Sequence, residues 1–313
     1  MVPSVVVLCG GVGAARFLEG VVRVVDAEAV TAIVNVADDA KFHSLHVSPD
    51  IDTVLYTLAG IVDPAQGWGV RDDTHTLQAT LAQLGRDTWF QLGDRDLATH
   101  IHRTALLRDG VSLTEITARL ARSLGVRARI LPSSDQRQAT MVRTDDGWLG
   151  FQDYFVRRRQ QDTVREVRFD GAGVPAPGVI EAITGASVVL VAPSNPIVSI
   201  GPILALDGVR SALSRTPAAV VAISPIVGGE ALKGPAAAML ASLGHEVSPV
   251  GVARMYADFL DVMVLDERDA ALAPRVEAAG PRAVVAQTIM RDLASKELLA
   301  RVSIDAAGAH ADA

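Results

Sequence analysis

Val5-Val6-Val7-Leu8 runs straight into Cys9-Gly10-Gly11-Val12-Gly13-Ala14-Ala15-Arg16. An unbroken β-branched run predicts a strand buried on both faces. The glycines permit a sharp turn and a close approach of the backbone to a ligand. From Arg16 to Val25, the residues Phe17, Leu18, Val21, Val22 and Val25 share one side of a predicted helix. Strand, glycine turn and helix N-terminus in that order suit an anion, because free N–H groups and the helix dipole converge there. Gly-Gly-x-Gly alone is a weak signal. It is neither the full dinucleotide fingerprint nor a Walker loop, which needs Gly-Lys-Ser/Thr, and a tight turn without a ligand would read the same.

The pattern recurs downstream. Val30 to Val36 predicts a second strand that ends at Ala37-Asp38-Asp39. Ala186 to Ala192 predicts another, running into Pro193-Ser194-Asn195-Pro196, and Ala218 to Ile223 ends at Ser224-Pro225 with Gly228-Gly229. Val262 to Asp266 and Arg282 to Thr288 complete the set. In open α/β sheets ligands gather at the carboxyl ends of the strands. Three turns rich in Gly, Ser, Asn and Pro on one such edge therefore describe a crevice lined with N–H donors. Between these runs, Leu107 to Gly178 reads as an inserted lobe. It has a helix over Ser112–Leu124, a strand over Val126–Leu131, and a hairpin turning at Asp145-Asp146-Gly147. The Ala/Gly-rich tail after Asp305 is expected to fray.

Composition narrows the function. Of 313 residues, 49% are hydrophobic and only 4% aromatic, so the core is aliphatic, as suits helices packed on a parallel sheet. The net charge of −7 argues against nonspecific nucleic-acid binding. Cys9 is the single cysteine, which excludes an intramolecular disulfide and a cysteine metal cluster and reads as a packing residue. No apolar run is long enough for a membrane helix and no secretion signal is evident, so a cytoplasmic location is expected.

The acids carry the chemistry. Ser48-Pro49-Asp50-Ile51-Asp52-Thr53 sets a turn at Pro49 and offers Asp50 and Asp52 as caps for a helix beginning near Thr53. Capping accounts for one of the two. With Asp38 and Asp39 alongside, paired carboxylates beside a phosphate crevice suit Mg²⁺, a hard cation that takes oxygen ligands. In Gln91-Leu92-Gly93-Asp94-Arg95-Asp96 two acids flank an arginine. This reads either as a surface ion-pair cluster of little energetic worth or as an arginine held to face a phosphate. A cation and an arginine together can neutralise a phosphoryl group during in-line displacement, while a carboxylate takes the proton of a hydroxyl acceptor. Phe151 to Arg159 sets aromatics beside three arginines, either a solvated basic face or a wall for a planar anionic ligand. His43 with His46, and His100 with His102, show no strong metal pattern.

These separated motifs together resemble the 2-phospho-L-lactate transferase family of coenzyme F420 biosynthesis, from Val5 to about Thr288. The motifs are Gly10-Gly11-Val12-Gly13, Asn35 to Asp39, Pro49 to Thr53, Gly93 to His100, Pro193 to Pro196, and Ser224-Pro225 with Gly228-Gly229. The resemblance implies transfer of a phospho-three-carbon acid from a guanosine diphosphate-linked donor to the terminal hydroxyl of the deazaflavin Fo. It implies release of GMP and a requirement for Mg²⁺. It implies Asp38, Asp39 and Asp52 at the metal, with Asp50 as support. It implies Gly11, Gly13 and Arg16 at phosphates, Asp94 and Arg95 near the reacting phosphate and the Fo tail, and Gly10 and Gln91 as further ligand-binding residues. Ser194, Asn195, Ser224 and Gly228 would hold the guanosine side, and Asp52, or a water it holds, would be the base. Ala14-Ala15-Arg16 stands where many relatives have Gly-Ala-Lys. A homodimer is expected.

The expected fold is α/β: a Rossmann-like, mostly parallel sheet flanked by helices over 1–106 and 179–313. The inserted α/β lobe over 107–178 would contribute to the acceptor site. Two other readings compete. A noncatalytic nucleotide-sugar-binding regulator of the gluconeogenesis-factor type would share the opening strand and turn, but not Pro49-Asp50-Ile51-Asp52-Thr53 with Asp94-Arg95-Asp96. An NAD-type oxidoreductase would place an acid such as Asp38 after its second strand, yet the full glycine fingerprint is missing.

Overall fold

The computed structural model describes residues 4–232 and 234–311. Its centre is β1 (Val5–Cys9), every residue of which is buried. Val5, Val7 and Cys9 enter the core on one face, and Val6 and Leu8 enter the core on the other. That period of two is what a strand covered on both sides requires.

β2 (Val30–Val34) pairs with β1 in parallel, Val5 opposite Val30. A short hairpin follows, β3 (Ala40–Phe42) with β4 (Leu45–Val47), its turn made by His43 and Ser44 at positive φ. β5 (Arg129–Pro132) pairs beside β2 at the sheet edge, where Pro132 leaves no ladder donor unmet. β6 (Gln138–Thr144), β7 (Gly147–Gly150) and β8 (Glu166–Gly171) form a separate antiparallel sheet. β9 (Val188–Val191) and β10 (Ala219–Ile223) continue the main sheet on the other side of β1. After the hairpin of β11 (Ile226–Val227) and β12 (Glu230–Ala231) come β13 (Val262–Asp266) and β14 (Arg282–Ala286). The main sheet is ordered β14-β13-β10-β9-β1-β2-β5, and every neighbouring pair is parallel. Strand order reverses between β1 and β9, and at such a switch point the loops diverge and open a crevice.

Five helices matter to the site: α1 (Gly11–Val24), α2 (Pro49–Leu58), α3 (Thr76–Gln83), α4 (Asp94–Arg108) and α5 (Leu113–Ser123). α1 begins at Gly11, not at Arg16. Gly11, at φ +71°, turns the chain straight from strand into helix. α2 begins at Pro49, not near Thr53, because proline suits the first helical position. Within 107–178, α5 and β5 join the main body, and the separate sheet occupies 138–171.

Up to Ala311 the expected frayed tail is instead the end of a helix, Leu293–Ala311, and residues 312 and 313 lie outside the described residues. Ala306 and Ala307 are buried in the core shared with α1, and Arg282 donates to the Ala306 carbonyl. Gly20 permits this packing, since a Cβ there would stand 2.3 Å from the Lys296 carbonyl oxygen. No helix among the described residues is long and apolar enough to cross a membrane.

Candidate active site

The loops at the switch point are locked together through backbone. Ser194 donates from its hydroxyl to the Gly10 carbonyl at 2.8 Å. A Cβ on Gly13 would stand 2.6 Å from the Pro193 carbonyl oxygen, and one on Gly10 would stand 2.6 Å from Ser199 Cβ. Two of the three glycines thus serve the close approach of the β1 and β9 loops. Asn195 accepts from the Ile197 and Val198 N–H groups, and the Ser224 hydroxyl closes its own turn with Ile226. The Gly228 N–H donates to Asp269 at 2.9 Å. Arg16 donates to the Met290 carbonyl after β14. Gln91 is exposed and donates to the Thr88 carbonyl at 3.3 Å.

The carboxylates fall into two groups. Asn35, at the end of β2, donates to Asp38 Oδ2 at 3.1 Å and to Asp50 Oδ2 at 3.0 Å. Asp50 also accepts from the Gly11 N–H, so it sits at the N-terminus of α1. Asp39 accepts from the Ser48 hydroxyl at 2.7 Å and meets His46 Nε2 at 2.9 Å. Burial, joined by the charge of Asp50, pushes the Asp38 carboxyl well above the usual range. Burial likewise raises Asp39 and takes Asp50 up to about 6, against the hydrogen bonds that favour their charged forms.

Asp38 Oδ1 and Asp39 Oδ1 are buried and have no hydrogen bond of ordinary geometry among the described residues, although Thr140 lies beside Asp38. Buried carboxylate oxygens left without a donor suit a hard divalent cation, so these residues fit Mg²⁺.

The second group centres on Asp52 and stays within reach of the first, since the charge of Arg103 also acts on Asp39. Arg103 donates to both oxygens of Asp52, its Nη1 at 3.1 Å from Oδ2 and its Nη2 on Oδ1. His100 Nδ1 lies 3.6 Å from Asp52 Oδ2, and its Nε2 lies 3.2 Å from Asp96 Oδ1. Tyr56 donates to the same Asp96 oxygen at 2.8 Å. Asp52, Asp96 and His100 stand close enough to share an ion, but the Arg103 guanidinium already supplies a buried positive charge there. Tyr56 pairs with Asp96 one turn after Asp52 pairs with Arg103, so α2 and α4 run antiparallel. The Gly93 to His100 sequence motif includes Asp96 and His100 but not Arg103, which does not stand out by type. Their spacing of four and three, one face of a helix, is the signal that identifies them.

Asp94 and Arg95 lie elsewhere on α4. Arg95 precedes Arg103 by about 12 Å of helix. Asp94 caps α3, accepting from the Thr76 and Leu77 N–H groups and the Thr74 hydroxyl, and these bonds hold its carboxyl below the usual range. Asp73 returns the favour to α4, accepting from the Arg95 and Asp96 N–H groups. The Arg95 guanidinium reaches the Arg71 carbonyl at 3.2 Å and lines a small cavity with Arg71 and Asp72.

Two outer segments frame the acids. Phe42 of the β3–β4 hairpin stacks on Phe90 with centroids 3.9 Å apart, and Trp89 meets both rings edge-on. Asp153–Arg157 forms a π-helical turn. Gln152, just before it, donates to the Asp38 carbonyl at 2.9 Å, and Thr140 N–H donates to the Ala37 carbonyl. The separate sheet is thereby tied to the acid loop.

A doubly wound parallel sheet with buried carboxylates beside a glycine turn defines an α/β protein whose ligand crevice lies at the strand carboxyl ends. The family is more specific: residues 5–301 match the model of 2-phospho-L-lactate transferase CofD, and the chain belongs to that transferase family. A 2-phospho-L-lactate transferase of Methanothermobacter thermautotrophicus is 40% identical over 298 residues, 95% of this chain and 96% of its own. A phosphoenolpyruvate transferase of Kitasatospora aureofaciens is 40% identical over 309 residues, 96% of each chain. A crystal structure of a UPF0052 family protein from Bacillus halodurans superposes with a TM-score of 0.64. It is 17% identical and covers 97% of this chain and 99% of its own, a likeness of fold alone.

Proposed function

We propose that this protein transfers a phospho-three-carbon acid from a guanosine diphosphate-linked donor to the terminal hydroxyl of the deazaflavin Fo, releasing GMP, in coenzyme F420 biosynthesis. The observation that carries the reading is the pair of buried oxygens, Asp38 Oδ1 and Asp39 Oδ1, which have no hydrogen bond of ordinary geometry among the described residues and lie beside the Gly10–Gly13 turn. Asp38 and Asp39 would hold Mg²⁺, with Asp50 fixed behind them by Asn35 and the α1 N-terminus. The ion would supply charge neutralisation at the phosphoryl group.

Asp52 is the carboxylate proposed to take the proton of the Fo hydroxyl as its oxygen bonds to phosphorus and the bond to GMP breaks. The backbone of the Gly10–Gly13, Ser194 and Ser224 loops would hold the donor, since their side chains are committed to the loops themselves. The aromatic cluster of Phe42, Trp89 and Phe90, with the Gln152-anchored π-turn, supports an acceptor side for a planar ring. Relatives named for phospholactate and for phosphoenolpyruvate are equally similar, so either acid, or phosphoglycerate, is a candidate cargo.

The test incubates the protein with Fo and each of the three donors, with and without Mg²⁺, and follows GMP and product mass. Mg²⁺-dependent GMP release with a phosphodiester product is expected from at least one donor. Donor binding without turnover under every condition would support the regulator reading instead.

A further inference from the structure

Arg103 is the largest fully buried side chain among the described residues. It lies in the middle of α4, and its two terminal nitrogens grip the two oxygens of Asp52 on α2. Burying such a pair is expensive, and a well-packed apolar pair of similar volume often holds two helices as well or better. α2 is already anchored by Ile51, Val54 and Leu55 in the core. Packing therefore does not account for a charged pair at this place. What a guanidinium fork adds is geometry: two parallel bonds fix the plane of a carboxylate, which the single ammonium of lysine cannot do. His100 Nδ1 lies 3.3 Å from Arg103 Nη1, beside the fork.

We propose that Arg103 is a positioning residue that sets the plane in which the Asp52 carboxylate meets the acceptor hydroxyl. This rests on the transfer reading above and deepens it. Arg103 touches neither substrate; it acts through Asp52.

A double-mutant cycle tests this. Arg103→Lys, Asp52→Asn and the double variant are compared with wild type for kcat, for KM of donor and Fo, and for Tm. Arg103→Lys is expected to lower kcat about 30-fold with both KM values within about threefold, part of the 10²–10⁴ that a general base contributes. Asp52→Asn is expected to lower kcat about 10³-fold, and adding Arg103→Lys to it should change kcat by less than about threefold, as for residues acting as a unit. Should Arg103→Lys melt below the assay temperature, Arg103→Gln takes its place in the cycle. An unchanged kcat in Arg103→Lys overturns the proposal. So does an equal loss in the Asp52→Asn background, or a loss that only follows the unfolded fraction. A wild type that releases no GMP overturns the transfer reading and this proposal with it, which the wild-type arm shows separately.

Discussion

Asp50 and Asp52 are two residues apart and point to opposite sides of α2. Asp50 faces Asn35 and the start of α1, and Asp52 faces Arg103 on α4. At about 100° per residue, two steps along a helix turn a side chain by about 200°. One short motif thus feeds two different charge environments. The first gathers Asp38, Asp39 and Asp50, which the Arg103 charge reaches only through Asp39, and the second has the guanidinium bonded to its carboxylate.

That imbalance predicts where a cation binds. Asp38→Asn is expected to weaken Mn²⁺ binding by at least the roughly 10–100-fold that loss of an outer-shell partner costs. Without the ion its Tm should be no lower than that of wild type, because burial and the charge of Asp50 already disfavour the Asp38 carboxylate. Titration calorimetry and thermal melts with and without Mn²⁺ check both halves. Undiminished Mn²⁺ affinity would remove Asp38 from the site.

The glycine turn is also a packing device. Gly13→Ala would press a methyl group to 2.6 Å from the Pro193 carbonyl oxygen, which is backbone and cannot swing away. A loss of about 1–3 kcal/mol is expected, as for overpacking elsewhere. Denaturant unfolding measures it, and a variant as stable as wild type would show that the two loops can part freely.

Acid should loosen the far side of the sheet. Burial raises Asp266, but the Thr288 N–H and hydroxyl and the Arg268 N–H outweigh it and hold the carboxyl below its usual range. A group depressed in the folded state stabilises above its unfolded pKa and loses that contribution as pH falls through the folded value. The loss should therefore begin near pH 4 and deepen below it. Asp266→Asn should lower stability by about 2 kcal/mol at pH 7 and flatten the acid limb of a Tm-against-pH curve. An unaltered limb would assign the acid sensitivity to other carboxylates.

Ala306 and Ala307, near the end of the last helix, are part of the core. Deleting residues 306–313 removes buried Ala306 and Ala307 and the carbonyl that Arg282 bonds. A loss of about 2 kcal/mol is expected from the lost burial and the orphaned guanidinium. Equal melting temperatures for the truncated and full chains would contradict it.

Local pattern carried much of this molecule. β-branched runs such as Val5–Leu8 and Val188–Val191 announce strands buried on both faces without knowledge of their neighbours, and a glycine turn after a strand announces where the crevice lies. The family is legible for the same reason, since its motifs are short and contiguous. Which acid meets which partner is not a local property. Arg103 and Asp52 are 51 residues apart, and nothing near either one in sequence indicates the other.

An arginine in mid-helix reads as solvent-facing until α2 and α4 are packed antiparallel. Only then do Asp96, His100 and Arg103 become a buried stripe. The tail was misleading for a related reason: Ala and Gly give weak local signals, and their order comes from lying against α1. Sequence alone determined the parallel sheet, the glycine turn and the set of acids, because each is written in consecutive residues. Tertiary structure alone decided how those acids are divided and which cation holds Asp52, because direction and distance between helices arise only on packing.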